Sequence, residues 1–184
     1  DDIGIISDMG GHFGFRYHIP SDRAHYFHIG IDLHGASKQP IYPAAEGILE
    51  YAGFGVYNGN YVMVSHPGIA TEDGFILHTL YMHNQSNTVG FSKYQKMLRE
   101  ISLHSYPAIA LGLDTEIAVM GKTGNSDNLD YVHTHIQFEF RHKDGTIVAV
   151  DPAPILGMQH KENLTAHITN REELEALQDK HPDA

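Results

Sequence analysis

The sequence contains no cysteine. That excludes disulfides, thiolate-held zinc fingers and a cysteine nucleophile, while leaving the redox compartment open. It has no Lys/Arg block either: 12 basic side chains stand against 23 acidic ones, for a formal net charge of −11. Nucleic acid and anionic membrane surfaces are poor partners on electrostatic grounds, and diffuse adhesion to an anionic cell wall is disfavoured for the same reason. An acidic polymer would have to be gripped locally, in a cleft. No apolar run approaches the roughly 20 residues that a bilayer-spanning helix needs. No Met or signal-peptide pattern precedes Asp1-Asp2, so the chain reads as a mature or trimmed product.

What remains is a chain of 184 residues with ordinary apolar and charged fractions, the size of one domain with a real core. The unusual count is histidine, at fifteen. A His-rich chain is a candidate metal binder, although many histidines serve only as surface or hydrogen-bonded groups.

Turn residues punctuate the first 80 positions. Between them lie short alternating or β-branched runs at Phe27–Leu33, Gly47–Tyr51, Tyr61–Ser65 and Phe75–Met82. The pattern returns at Glu116–Met120, Val132–Phe140 and Thr146–Val150. These lengths are those of strands. Asn58-Gly59 and Asp144-Gly145 fall between such runs and predict hairpin turns. The body is therefore expected to be all-β and mainly antiparallel. Two stretches depart from it. Ser92–Leu103 has apolar positions at helical spacing (Tyr94, Met97, Leu98, Ile101), and predicts an inserted helix. Arg171–Asp179 follows a capping-box pair, Thr169 and Glu172, and predicts a short C-terminal helix.

Four segments carry side chains capable of chemistry. In His28-Ile29-Gly30-Ile31-Asp32, strand alternation puts His28, Gly30 and Asp32 on one face and turns Ile29, Ile31 and Leu33 towards the core. A straight strand would hold the outer two α-carbons about 13 Å apart, at roughly 3.3 Å per residue. That is too wide for one zinc ion with bonds of about 2 Å. A bend or bulge is therefore expected at or beside Gly30, which would also leave room above itself for the ion. In Val132-His133-Thr134-His135, both histidines share a face about 6.5 Å apart at the backbone. One or both could ligate; spacing does not choose. His83 ends the apolar run Thr79-Leu80-Tyr81-Met82 and meets a polar turn, where a histidine alone is an inexpensive surface residue. Gly121-Lys122-Thr123-Gly124-Asn125-Ser126 has the wrong Gly-Lys order for a P-loop and reads as a tight connection into the His-x-His strand.

Their order in the chain is more informative than any one of them. His-x-x-x-Asp, then Tyr-x-His, then Thr-Gly-Asn-Ser, then His-x-His resembles the M23 peptidases, the lysostaphin-like zinc endopeptidases that cut peptide cross-links in bacterial cell walls. Phe13-Gly14-Phe15-Arg16-Tyr17-His18 is similar to the segment that opens the family domain, Asn60–Gly68 to its central strand and turn, and Val150-Asp151-Pro152 to its close.

The resemblance implies a barrel-sandwich hybrid (duplicated hybrid motif) with a groove over one sheet. It implies one zinc ion per chain on His28, Asp32 and His135, and catalytic roles for His83 and His133. It divides the chain into a lead-in at 1–12, a metallopeptidase domain at 13–156 and a C-terminal extension at 157–184. The substrate expected is a peptidoglycan stem or bridge, Gly–Gly or D-alanyl–diaminopimelate. Lack of a basic wall-binding module favours the second, in a periplasm, over a secreted enzyme. Three features differ from the family pattern: the longer loop Asp127–Val132, Ile136 in place of a common Phe, and an insertion from about Ser86 to Pro107. All are expected at the cleft rim, where they bear on substrate preference. The alternatives are a catalytically silent relative that binds and activates another wall hydrolase, with a regulatory protein as partner, and a non-enzymatic metal store or wall-binding module. His34, His66 and His78 lie near the motifs and are given no role.

Overall fold

Short runs of alternating polarity separated by glycine turns can bury one face only by pairing, and the chain pairs them antiparallel throughout. The structure is a computed structural model that describes residues 4–5, 11–15, 27–89 and 108–158. In chain order its strands are β1 (Gly4–Ile5), β2 (Gly14–Phe15), β3 (Phe27–His28), β4 (Ile31–His34), β5 (Pro40–Ile41), β6 (Gly47–Gly55) and β7 (Gly59–Ala70). They continue with β8 (Ile76–Asn84), β9 (Ser86–Asn87), β10 (Ala110–Leu111), β11 (Ala118–Val119), β12 (His133–Arg141) and β13 (Ile147–Val150). A one-turn helix, α1 (Pro152–Ile155), follows, with Asp151 as its N-cap accepting from the Ala153 amide at 3.0 Å.

The main sheet runs β1-β4-β12-β8-β7-β6-β10, with β13 also paired to β12. A three-stranded sheet, β5-β11-β9, and the pair β2-β3 complete the arrangement. Both predicted hairpins form: Asn58-Gly59 joins β6 to β7, and Asp144-Gly145 joins β12 to β13. Gly59 and Gly145 have φ of +64° and +92°, values that suit glycine at a hairpin turn. The two predicted helices, at 92–103 and 171–179, lie outside the described residues.

One face of the main sheet makes the core. Ile31, Val62, Val64, Tyr81 and Phe138 are each under 2 % exposed, and Ile41 and Ala118 of the small sheet belong to the same apolar cluster. Full burial of an aliphatic side chain contributes about 1.5–3 kcal/mol, so this side of the sheet fixes strand register. The opposite face carries the alternate residues of the same strands. Leu80 and Met82 are buried there but belong to no part of the core cluster, and His135, Gln137 and Glu139 stand beside them on β12.

Candidate metal centre

Register brings the first two elements of the centre together. On the β4–β12 ladder His135 pairs with Asp32 and Ile136 with Ile31, so the core contacts of Ile31 and Ile136 place the two polar side chains on the other face, opposite each other. His28 arrives by a bend. The chain leaves β3 after His28, turns at Gly30 and enters the main sheet at Ile31, as the separation of about 13 Å along a straight strand required. The bend also corrects two expectations. Ile29 is not in the core but 38 % exposed, because the strand is broken there. The space above Gly30 is not open for an ion: a β-carbon at Gly30 would collide with the Ile136 carbonyl and lie 2.6 Å from Nε2 of His135. The glycine makes room for the imidazole.

The resulting donors form a tight triangle. His28 Nε2 and His135 Nδ1 are 2.9 Å apart, His135 Nδ1 and Asp32 Oδ1 2.9 Å, and His28 Nε2 and Asp32 Oδ1 3.3 Å. Among the described residues this is the one group of three or more His, Asp or Glu side chains arranged to hold a metal ion. The outer ring nitrogens have their own acceptors: Nδ1 of His28 donates to the His12 carbonyl at 2.8 Å, and Nε2 of His135 to Gln137 Oε1 at 3.4 Å. A neutral imidazole has one N–H, so both rings then turn a lone pair inward, towards a carboxylate. Three acceptors meet this closely only around a cation or a proton. Tetrahedral zinc, with bonds of about 2.0–2.2 Å, holds its ligands roughly 3.3–3.6 Å apart, so a slight spreading of this triangle accommodates the ion. The donor set fits zinc. With a proton in the ion's place an inward ring N–H would bind the carboxylate instead: burial by itself would raise Asp32, but His28 first and then His135, donating to it when so protonated, hold it well below the usual carboxylate range.

The backbone of the N-terminal segment braces the same residues. Besides the His12 carbonyl on His28, the Gly11 carbonyl accepts from the Asp32 amide at 2.8 Å, and β2 pairs with β3 at Gly14 and His28.

Two further histidines border the triangle. The ring of His83 lies 5.0 Å from that of His133 and 6.2 Å from that of His135, centroid to centroid. His83 is aimed by an unusual backbone, with φ of +62°, a left-handed conformation that non-glycine residues adopt only when the surroundings enforce it. Its amide donates to the Asn58 carbonyl at 2.8 Å and its Nδ1 to the Thr123 carbonyl at 2.9 Å. Burial, helped by His133 and His135, pushes its imidazole down from 6.5 to about 4, so at neutral pH it is uncharged. Thr123 belongs to the Gly-rich turn, which acts as a clamp: its hydroxyl donates to the Asn84 carbonyl at 2.7 Å and accepts from the Asn60 amide at 2.8 Å. The turn then hands the chain to β12 through the His133 amide, which donates to the Gly121 carbonyl at 2.9 Å.

His28, Asp32, His83, His133 and His135 are thus gathered in one place. His34 is exposed, His78 bonds the Ile76 carbonyl, and His66 lies on the core side between Thr79 and the Glu46 carbonyl, so none of the three enters the site. Sequence reasoning passed over Gly11, His12 and Gln137, and read Thr123 only as part of a tight connection and of the motif series. Gln137 alone had a readable signal: it is two residues beyond His135 on a strand, hence on the same face.

The sequence model of peptidase family M23 matches residues 26–152, which include all five of these side chains. No curated protein matches the chain. Among solved structures, the catalytic domain of the antimicrobial peptidase lysostaphin from Staphylococcus simulans is 20 % identical, with 85 % of this chain and 92 % of that one covered and a TM-score of 0.50. A zinc-containing peptidase from Vibrio cholerae is 19 % identical over 76 % of this chain and 34 % of that one, with a TM-score of 0.51. The catalytic domain of the prophage-encoded M23 protein EnpA from Enterococcus faecalis is 16 % identical over 83 % and 90 %, also at 0.51. At these identities the likenesses show a shared all-β fold, and the matched family model, spanning more than half of the sequence, places this chain in peptidase family M23.

Proposed function

We propose that the chain is a zinc metallo-endopeptidase that hydrolyses peptide cross-links of bacterial peptidoglycan, in the periplasm or outside the cell. In this reading His28, Asp32 and His135 hold one zinc ion, His133 moves the proton and His83 orients the water. The division into lead-in 1–12, catalytic domain 13–156 and extension 157–184 belongs to the same proposal. The observation that carries it is the convergence of three lone-pair donors from β3, β4 and β12 within 2.9–3.3 Å, with two more histidines over the same spot.

His28, Asp32 and His135 would hold zinc with two neutral imidazoles and one carboxylate, a three-ligand set of hydrolytic rather than structural zinc. Zinc bound there supplies Lewis acidity, polarising the scissile carbonyl and lowering the pKa of water from 15.7 towards about 7. His133 acts as general base, removing the proton of the attacking water and returning it to the leaving amine as the C–N bond breaks. His83 has its Nδ1 proton committed to Thr123 and is uncharged at neutral pH, so towards the site it offers an Nε2 acceptor. That supports a role in orienting the water and disfavours one as an oxyanion donor, since donation would need a second ring proton. No covalent intermediate is required.

The test is digestion of defined peptidoglycans, with and without chelator, followed by mass spectrometry of the fragments. Release of new amino termini that stops on chelation and returns with zinc is the expected result. Comparing Gly–Gly-bridged with D-alanyl–diaminopimelate-linked material identifies the bond. A protein that binds one zinc ion but frees no peptide from any wall would instead be a silent regulator.

A further inference from the structure

The strand that delivers His135 continues as a line of polar side chains that the proposed reaction does not use. Gln137, Glu139 and Arg141 follow His135 at every second position of β12, so all point to the same face. Gln137 is 3 % exposed and Glu139 7 %, unusual burial for an amide and a carboxylate. Each is satisfied by the next. Gln137 Oε1 accepts from His135 Nε2 at 3.4 Å, Gln137 Nε2 donates to Glu139 Oε1, and Glu139 Oε2 takes Nε and Nη2 of Arg141 at 2.7 and 2.6 Å.

The direction of this chain is set from its far end. A carboxylate only accepts, so Glu139 draws the NH2 end of the Gln137 amide and leaves the carbonyl end facing His135. A carbonyl there requires the His135 proton to be on Nε2. Nδ1, the atom facing Asp32 and His28, is then a lone pair. Were the amide reversed, its NH2 would face Nε2, the proton would move to Nδ1, and the ring could not ligate. Arg141 grips one oxygen of Glu139 with two nitrogens and supplies the opposing charge.

We infer that Gln137, Glu139 and Arg141 are positioning residues that fix His135 in its metal-ligating tautomer. The inference rests on the zinc-site reading above and adds to it the source of the ring's orientation. Partners of this kind alter metal affinity by about 10–100-fold when removed.

The experiment measures zinc affinity of the metal-free protein by competition with a chromophoric chelator, and the His135 tautomer by long-range 1H–15N NMR. Gln137→Leu should bind zinc 10–100-fold more weakly, and Glu139→Gln should also weaken it, because a second amide no longer dictates which way the first one points. The double exchange Q137E/E139Q reverses the partners while keeping every bond. The introduced carboxylate accepts from His135 and from the introduced amide, whose oxygen accepts from Arg141. It should restore affinity to within about threefold of wild type and return the proton to Nε2. Should Gln137→Leu fail to fold, the near-isosteric Glu139→Gln and its rescue decide the matter. Wild-type affinity in both variants, or no rescue by the exchange, overturns the relay while leaving the zinc site standing. Failure of the wild-type protein to bind a single zinc ion overturns both readings.

Discussion

Gly30 and His135 occupy one another's space: a β-carbon on the first would lie 2.6 Å from Nε2 of the second. The smallest possible addition, Gly30→Ala, must therefore push the ring or the strand. Overpacking of this kind costs about 1–3 kcal/mol, and here the displaced group is a proposed ligand. The variant should melt lower and bind zinc at least tenfold more weakly in chelator competition. Gly68, whose β-carbon would meet nothing within 4 Å, is the control; alanine there should leave affinity unchanged.

Asp32→Ala and His133→Ala should separate binding from turnover. The first leaves two imidazoles without their carboxylate and should lose the metal. The second should keep zinc at wild-type stoichiometry while hydrolysis falls by about 10²–10⁴-fold, the range for a positioned general base. Zinc content by atomic emission and fragment release from sacculi, measured on the same samples, check the pair. Stripping of zinc by His133→Ala from a folded protein would reverse the assignment of roles.

His83 should make the fold sensitive to mild acid. Its pKa is about 4 in the folded protein against 6.5 for an unhindered imidazole, with burial the main cause. Between those values the unfolded chain binds a proton that the folded one refuses, so stability falls as pH drops from 6.5 towards 4 and is flat above it. The full effect is on the order of 3 kcal/mol. Urea unfolding of metal-free protein at pH 7 and pH 4.5 should show it, and His83→Gln should have a shallower pH slope.

Metal removal should destabilise the fold, because the three donors come from separate strands. Zinc at a hundred times its dissociation constant adds about 2.7 kcal/mol. Chelator should therefore lower the melting temperature by several degrees and readdition restore it, with Asp32→Ala insensitive to either treatment. A melting curve unaffected by chelator in a zinc-loaded sample would count against a shared ion.

Much of this centre could be read from spacing because β-structure converts sequence parity into facing. His133 and His135 share a face of β12 by that rule, and the bend at Gly30, which brings His28 to Asp32, follows from the reach of two side chains towards one ion. What parity could not supply was contact between distant segments. Nothing in the sequence near Asp32 announces that Gly11 and His12 will lend it and His28 their carbonyls, since backbone groups carry no residue signature. Register between β4 and β12 was equally silent, being fixed by the burial of Ile31 and Ile136. The left-handed turn at His83 is held by its anchors at Asn58 and Thr123, both remote in sequence; histidine tolerates that conformation better than most residues but does not announce it. Ile29 lies outside the core for a related reason: alternation holds only within one strand, and the break at Gly30 ends it.

The hold of Gly11 and His12 on two of the proposed metal ligands ties two fates together. A carbonyl that steadies Asp32 and another that steadies His28 make attachment of the Gly11–His12 segment and occupancy of the centre mutually reinforcing, by the reciprocity that governs any linked equilibria. Cation uptake should therefore shield the peptide bonds around Gly11 from proteases, and prying that segment away should let the cation escape. These two backbone carbonyls thus make the protease resistance of the Gly11–His12 segment a gauge of whether the centre is occupied.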